Sequence, residues 1–258
     1  MRKNYLLLIL TLFLFSTNSM GGVGIAPVNK LSGKVYLLSV SIGTSMNGEI
    51  SDYTQSDANC FYNSLKKDTA IKEIITYNCG DIASKADIFL AIDSISKKCN
   101  ESNIFIFYFS GFTDNGNFLL SKEKMPFQDF FNSTKLIKAQ NQFFISDANN
   151  GIDLGESLKT TLFDAANDST SIKKRIIISN AFLAYEIRKG ANKRDLNFEG
   201  GRLTGCIANS KYSITKFCDL KYYNDHFLTE FKHDLYESSK DLFDIYLFSE
   251  VNFRSEYK

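Results

Sequence analysis

The sequence predicts an α/β fold: a mostly parallel central sheet with helices on both faces. Three observations carry that reading. Short apolar runs alternate with amphipathic segments from residue 34 onward, as strands and crossover helices do. One run, Asn103 to Phe109 (NIFIFYF), is apolar on both faces and so suits the middle of a covered parallel sheet. The 258 residues, 44% of them hydrophobic and including 23 Phe, can bury one sizeable core. A single α/β domain commonly runs to about 200–250 residues, so one domain is the economical division. The same composition excludes a disordered chain.

The elements follow in order. Met1, Arg2 and Lys3 are followed by the apolar run Tyr5 to Phe15 and the small residues Ser16 to Ser19. Such a run suits a secretory leader, whose apolar part spans about 7–15 residues, and is short for a membrane span of about 20. The reading is a leader over 1–19, a Gly-rich linker over 20–33, and one domain over 34–258, exported and without a membrane span after cleavage. An uncleaved anchor is the alternative. Val35 to Val40 is then a buried strand. Asp57 to Lys67 is a helix with Asp57 as its N-cap and Cys60, Phe61 and Leu65 on one face. Ile71 to Tyr77 is a second strand. Ser84 to Lys98 is a helix with Ile88, Ala91, Ile92 and Ile95 at helical spacing.

After the NIFIFYF strand, Gly116 to Leu120 reads as a small hairpin arm. Gln142 to Ile145 and Lys174 to Ser179 are further strands, with a helix from Gly155 to Ala166 between them. Gly201 to Asn209 opens another helix. Asp225 to Leu242 is a long amphipathic one, and Ile245 to Phe248 is a closing strand.

Charge and cysteine usage narrow the functional classes. Lys plus Arg is 30 against Asp plus Glu at 29, so no basic field exists to hold a nucleic acid. The five cysteines, at 60, 79, 99, 206 and 218, contain no CxxC and no zinc-ligand spacing, so no metal or cofactor is expected. An odd number leaves at least one thiol free.

In open parallel sheets chemistry gathers beyond the carboxyl ends of the strands. There the sequence places Ser110-Gly111-Phe112-Thr113 and Ser146-Asp147-Ala148-Asn149-Asn150-Gly151, read as two short turns. These segments carry a resemblance. FYFSGF with DNGNFLL resembles the FYFSGHG strand and hairpin of the caspase and metacaspase family, and FFISDANNG resembles its DACHSG strand end. KVYLLSVSIG, DANCFYNSLKK, SKADIFLAIDSISKKC, RIIISNAFLAYE and FEGGRLTGCI resemble further family segments in the same order. The likeness spans roughly Lys34 to Asn209 and implies a caspase-like three-layer sandwich.

The resemblance also implies a loss. The family's catalytic His falls at Phe112 and its nucleophilic Cys at Asn149. A Cys peptidase needs a thiolate and an imidazole, and neither residue supplies one. Asp147, two before Asn149, matches an acidic residue that helps the family form a pocket for Arg or Lys. Asp147, Ser110, Gly111 and Asn149 are therefore peptide-groove candidates, with a strand-end cap as the other reading of Asp147. His226 and His233, seven apart and so on one face of the C-terminal helix, stand at no recognised dyad spacing from Cys206 or Cys218 and leave a displaced Cys/His pair as the alternative. Phe118, Phe127, Phe130 and Phe131 are either core or an apolar recognition rim.

The expectation is thus an exported caspase-like pseudoenzyme that binds a peptide segment or a partner protein. An active cysteine endopeptidase and a generic secreted α/β domain are the alternatives. They separate by strand order and by the neighbours of Phe112 and Asn149.

Overall fold

In the computed structural model, residues 32–149, 174–181, 201–209, 215 and 244–249 are described. The expected leader, the helices at 155–166 and 225–242, Cys218, His226 and His233 lie outside the described residues. Residues Leu31–Lys258 belong to one unit.

The chain runs β1 (Lys34–Ser41), α1 (Thr54–Lys66), β2 (Glu73–Cys79), α2 (Lys85–Lys98), β3 (Ile104–Asp114), β4 (Asn117–Leu119) and β5 (Lys124–Pro126). It continues through α3 (Phe127–Thr134), β6 (Asn141–Asn149), β7 (Lys174–Ala181), α4 (Arg202–Asn209) and β8 (Asp244–Ser249). The sheet order is β2-β1-β3-β6-β7-β8, parallel except for β8 at one end. The fold is therefore α/β with a mostly parallel sheet. The three strands with the most continuous apolar runs, β1, β3 and β6, lie side by side in its middle, where both faces must be covered.

Alternation along β3 assigns the two faces. Phe105, Phe107 and Phe109 join Tyr36, Leu38 and Val40 in one cluster with Ile88, Ile92 and Ile95 of α2 and with Phe130 and Phe131 of α3. Tyr108, pointing the other way, stacks on Phe61 of α1 with ring centroids 4.5 Å apart. Helix α2 starts where its sequence says it should. Ser84 accepts from the Asp87 amide while the Asp87 carboxylate accepts from Ser84 N–H, a capping box.

The hairpin arm hangs from β3 through a two-residue turn, Asn115-Gly116, in which both residues have positive φ (45° and 77°). It carries the four aromatics left undecided by the sequence. Phe118, Phe127, Phe130 and Phe131 are all buried, between 0% and 3% exposed. Phe118 alone packs against Phe107, Phe109, Phe127 and Phe130 with centroids 4.5 to 5.6 Å apart. They form core and offer no recognition rim. The arm folds back over the α2 face of the sheet and uses these rings to close it.

Truncating that cluster should be costly. Phe118→Ala should lower unfolding free energy by about 3–5 kcal/mol, the usual cost of emptying a buried Phe site. Urea denaturation measures it. A loss under about 1 kcal/mol would mean that the arm does not close the core.

Candidate functional site

The two central strands end as register partners. Pairing of β3 with β6 continues from Ile104↔Asn141 to Ser110↔Asp147, Gly111↔Ala148 and Phe112↔Asn149. Of the segments expected as turns, Ser110 to Thr113 and Ser146 to Asn149 are thus strand residues, while Asn150 and Gly151 lie outside the described residues. The reason is that β3 is held on both sides there, by β6 and by β4, with Phe112 opposite Leu119. Phe112 is 3% exposed. For Asn149 the backbone register is the described feature.

Helix α1 brings a carboxylate to the same end of the sheet. Asp57, Phe61 and Leu65 recur every four residues and so share a helical face, and that face packs on the sheet. Seating Phe61 on Tyr108 draws Asp57 under cover with it, at 2% exposure. Asp57 is not the N-cap the sequence suggested. The helix begins three residues earlier, with Tyr53 as N-cap and no side-chain capping bond. Asp57 instead accepts from the Gly201 amide at 2.7 Å through Oδ1 and from the Ser110 hydroxyl at 2.9 Å through Oδ2.

Asp147 reaches the same place from β6. Its Oδ2 accepts from the Thr204 amide at 2.8 Å and from the Thr204 hydroxyl at 2.6 Å. The Thr204 hydroxyl also meets the Tyr108 hydroxyl at 2.5 Å. First-turn amides of a helix have no partner within the helix and favour a negative charge. Asp147 therefore caps α4, a helix far along the chain, and not the turn that follows β6. It is 5% exposed, so the open carboxylate expected in a groove is covered in this conformation. Gly111, another groove candidate, is buried beside Ile42.

Gly201 is the lid over both acids. A Cβ there would lie 2.6 Å from Asp147 Cγ and 2.8 Å from Asp57 Oδ2, closer than side-chain carbons come to such atoms. Only a glycine lets the backbone descend far enough to give its N–H to Asp57.

Two acids in one covered site repel. Burial first, and the negative charge of Asp147 second, push the Asp57 carboxyl up to about 7, while the bonds from Gly201 and Ser110 act the other way. Every group that bonds to Asp57 is neutral, and no Lys or Arg among the described residues pairs with it. The wholly buried Tyr108 phenol is pushed well up by burial and then by the two carboxylates, so it stays protonated.

No activated nucleophile stands among the free thiols described. Cys79 and Cys99 are buried, and burial pushes both to about 11; Cys60, half-buried, is also raised by burial and then by Asp57. A thiol in such surroundings is not a thiolate at neutral pH. Cys206 lies in α4. Among the described residues no group of three or more His, Cys, Asp or Glu could hold a metal ion. No helix of the described residues is long and apolar enough to cross a membrane. No known protein-family model matches the chain. No curated protein matches it either.

The shared site couples stability to pH. The native state holds the Asp57 proton up to about 7, whereas an unstructured Asp releases it near 3.8. Stability should therefore fall as pH rises through that window, by up to about 1.4 kcal/mol per pH unit, and level off above it. Asp57→Asn should flatten the profile between pH 5 and 7 in urea denaturation. An equal slope in parent and variant would place the titrating group elsewhere.

Gly201→Ala should lift the start of α4 off the two acids. Its cost should be about 1–3 kcal/mol, the penalty of leaving buried polar groups unpaired. A thermal melt as stable as the parent's would show that the close approach is not required.

Proposed function

We propose that this chain is an exported, caspase-like protein that has lost catalysis and binds a peptide segment or a partner protein. The observation that carries the reading is Phe112 opposite Asn149 at the carboxyl ends of two adjacent central strands. In the family that this sequence resembles, those positions hold the imidazole and the thiol. Here one is a buried ring with no exchangeable proton and the other an amide. Neither can deliver the chemistry, so the site keeps its place in the sheet without its reaction. The adjacency of β1, β3 and β6 supports the likeness, since it is the arrangement that the caspase-like reading expects.

Three of the groups at this end of the sheet suit a cationic side chain. Asp57, Asp147 and Ser110 converge, and charge-assisted bonds from a guanidinium or ammonium would relieve the repulsion between the acids. Gly201 occupies the space beside both acids. Engagement of a basic residue therefore displaces the first turn of α4, and the carboxylates exchange backbone amides for the incoming cation. The aromatic arm is core, so the rest of the affinity falls to backbone pairing or to surface outside the described residues.

The purified protein should cleave no Arg-, Lys- or Asp-containing peptide, with or without reductant, and should bind extended Arg or Lys peptides reversibly. Ser110→Ala, which keeps both acids and the cap, should weaken that binding by about two- to tenfold, the worth of one hydrogen bond. Fluorescence anisotropy reads the binding. A thiol-blockable peptidase activity, lost on substituting one of the five Cys, would replace this reading with that of a displaced Cys/His enzyme. Absence of any binding by the parent would remove the basic-pocket reading.

A further inference from the structure

Strand β2 stands first in the strand order, and among the described strands none pairs its outer side. An edge strand presents a row of unpaired N–H and C=O groups and recruits another strand unless Pro, a bulge or charge stops it. β2 contains no Pro, and its register with β1 runs without a bulge from Lys34↔Glu73 to Val40↔Cys79. Its one charged residue, Glu73, is bonded to Lys34 at 3.1 Å. Thr76 and Asn78 are exposed. The edge is open.

Beside it, the strand and α2 leave a groove of about 490 Å³, lined by Tyr77, Gly80, Ile82, Asp87, Leu90 and Ser94. Two of these apolar side chains face water, Ile82 at 87% and Leu90 at 64% exposure. The charges on this side of α2 stand at opposite ends. Asp87 lies at the Gly80 end, its carboxylate accepting from the Ser84 N–H and hydroxyl. Lys98 lies at the other end, where its carbonyl accepts from the hydroxyl of Tyr36, a residue level with Ile75 in the sheet. The Lys98 ammonium reaches the Tyr77 hydroxyl at 3.3 Å, and among the described residues no carboxylate pairs with it.

We propose that β2 and α2 form the interface of a two-fold dimer, in which β2 of a second copy adds antiparallel to β2 and continues the sheet. A two-fold axis sets each end of such a face against the opposite end of its copy. Asp87 and Lys98 are about 16 Å apart along α2, the length of about five strand residues. An axis near Tyr77 therefore brings Asp87 of each copy level with Lys98 of the other, and Leu90 level with Ser94. Helix α2 joins β2 to β3 across β1 and so lies over β1. At about 4.8 Å per strand, the two α2 helices stand about 14 Å apart, wider than the ~8–10 Å of directly packed helices. The exposed Ile82 and Leu90 of both copies fill that gap. Charge and shape thus select a second copy as the occupant.

This surface is separate from Asp57 and Asp147, and the dimer does not rest on the binding reading. A seven-residue strand with one helix face is a small interface, so association falls in the micromolar range.

Sedimentation velocity of the full chain from about 1 to 200 µM tests it. The chain should pass from monomer to dimer, and hydrogen exchange at β2 amides should slow over the same range while β6 amides stay unchanged. Leu90→Asp and Thr76→Lys, both at exposed positions, should each raise the dimer dissociation constant about tenfold or more and leave the monomer's melting temperature unchanged. Lys98→Glu and Asp87→Lys should each weaken self-association, and an equimolar mixture of the two should restore it, since only the mixed pair sets unlike charges at both ends. Should Asp87→Lys lose its helix cap and fail to fold, Leu90→Asp and Thr76→Lys decide alone. A monomer at every concentration would overturn the dimer, as would a dimer indifferent to these variants or one whose β2 amides exchange as in the monomer. A monomer that takes up a separate extended apolar peptide along β2 would overturn the second copy as the occupant.

Discussion

Two carboxylates from distant parts of the chain meet under a glycine, and much of the described structure follows from making that meeting tolerable. Asp57 comes from α1 because the helix must seat Phe61 and Leu65 on the sheet. Asp147 comes from the last turn of pairing in β6. Asp57 is compensated by an amide and a hydroxyl, and the described bonds of Asp147 are to the amide and hydroxyl of Thr204. The described bonds form only if α4 docks with its N-terminus pointing inward and if residue 201 lacks a side chain. Changing any of these leaves a buried charge without a partner, among the larger penalties a fold can incur.

The same end of the sheet is where a reaction would sit, and its residues divide into two kinds. Phe112 is buried in β3 opposite Leu119 of β4 and lies outside the aromatic cluster that the arm closes. Asp57, Ser110, Asp147, Tyr108 and Thr204 form a polar network with two ionisable acids. On the proposed reading, this corner recognises a cation through its acids and cleaves no bond. The free thiols that are described lie in surroundings that keep them protonated. They give no support to a relocated nucleophile.

The sheet was legible because its central strands are apolar on both faces, a pattern that few other elements share. Strand ends were read too short. Small polar residues such as Ser110, Gly111 and Ser146 look like turns, yet here they continue the ladder because each has a partner across it. Asp57 was misassigned for a related reason. Near a helix start, local rules make Asp a cap, while its actual partners, Gly201 and Ser110, are remote in sequence. One signal was available: Asp57 stands four residues before Phe61, which puts a carboxylate on the apolar face of an amphipathic helix. An acid in that position must find company inside. Thr204 and Tyr108 carried no such mark, since a helical Thr and a strand Tyr look ordinary until the strands are placed.

The central claim is that Asp57 and Asp147 share one covered site, in which burial and the neighbouring acid push the Asp57 carboxyl up to about 7. Carboxyl carbon NMR of the protein labelled at Asp side chains, assigned by Asp57→Asn and Asp147→Asn, measures it directly. The account predicts that Asp57 ionises near pH 7, that this ionisation is absent from Asp57→Asn, and that Asp147→Asn lowers it without restoring an ordinary carboxyl, since burial is the larger cause. An Asp57 ionisation below pH 5 that Asp147→Asn leaves unmoved would contradict it.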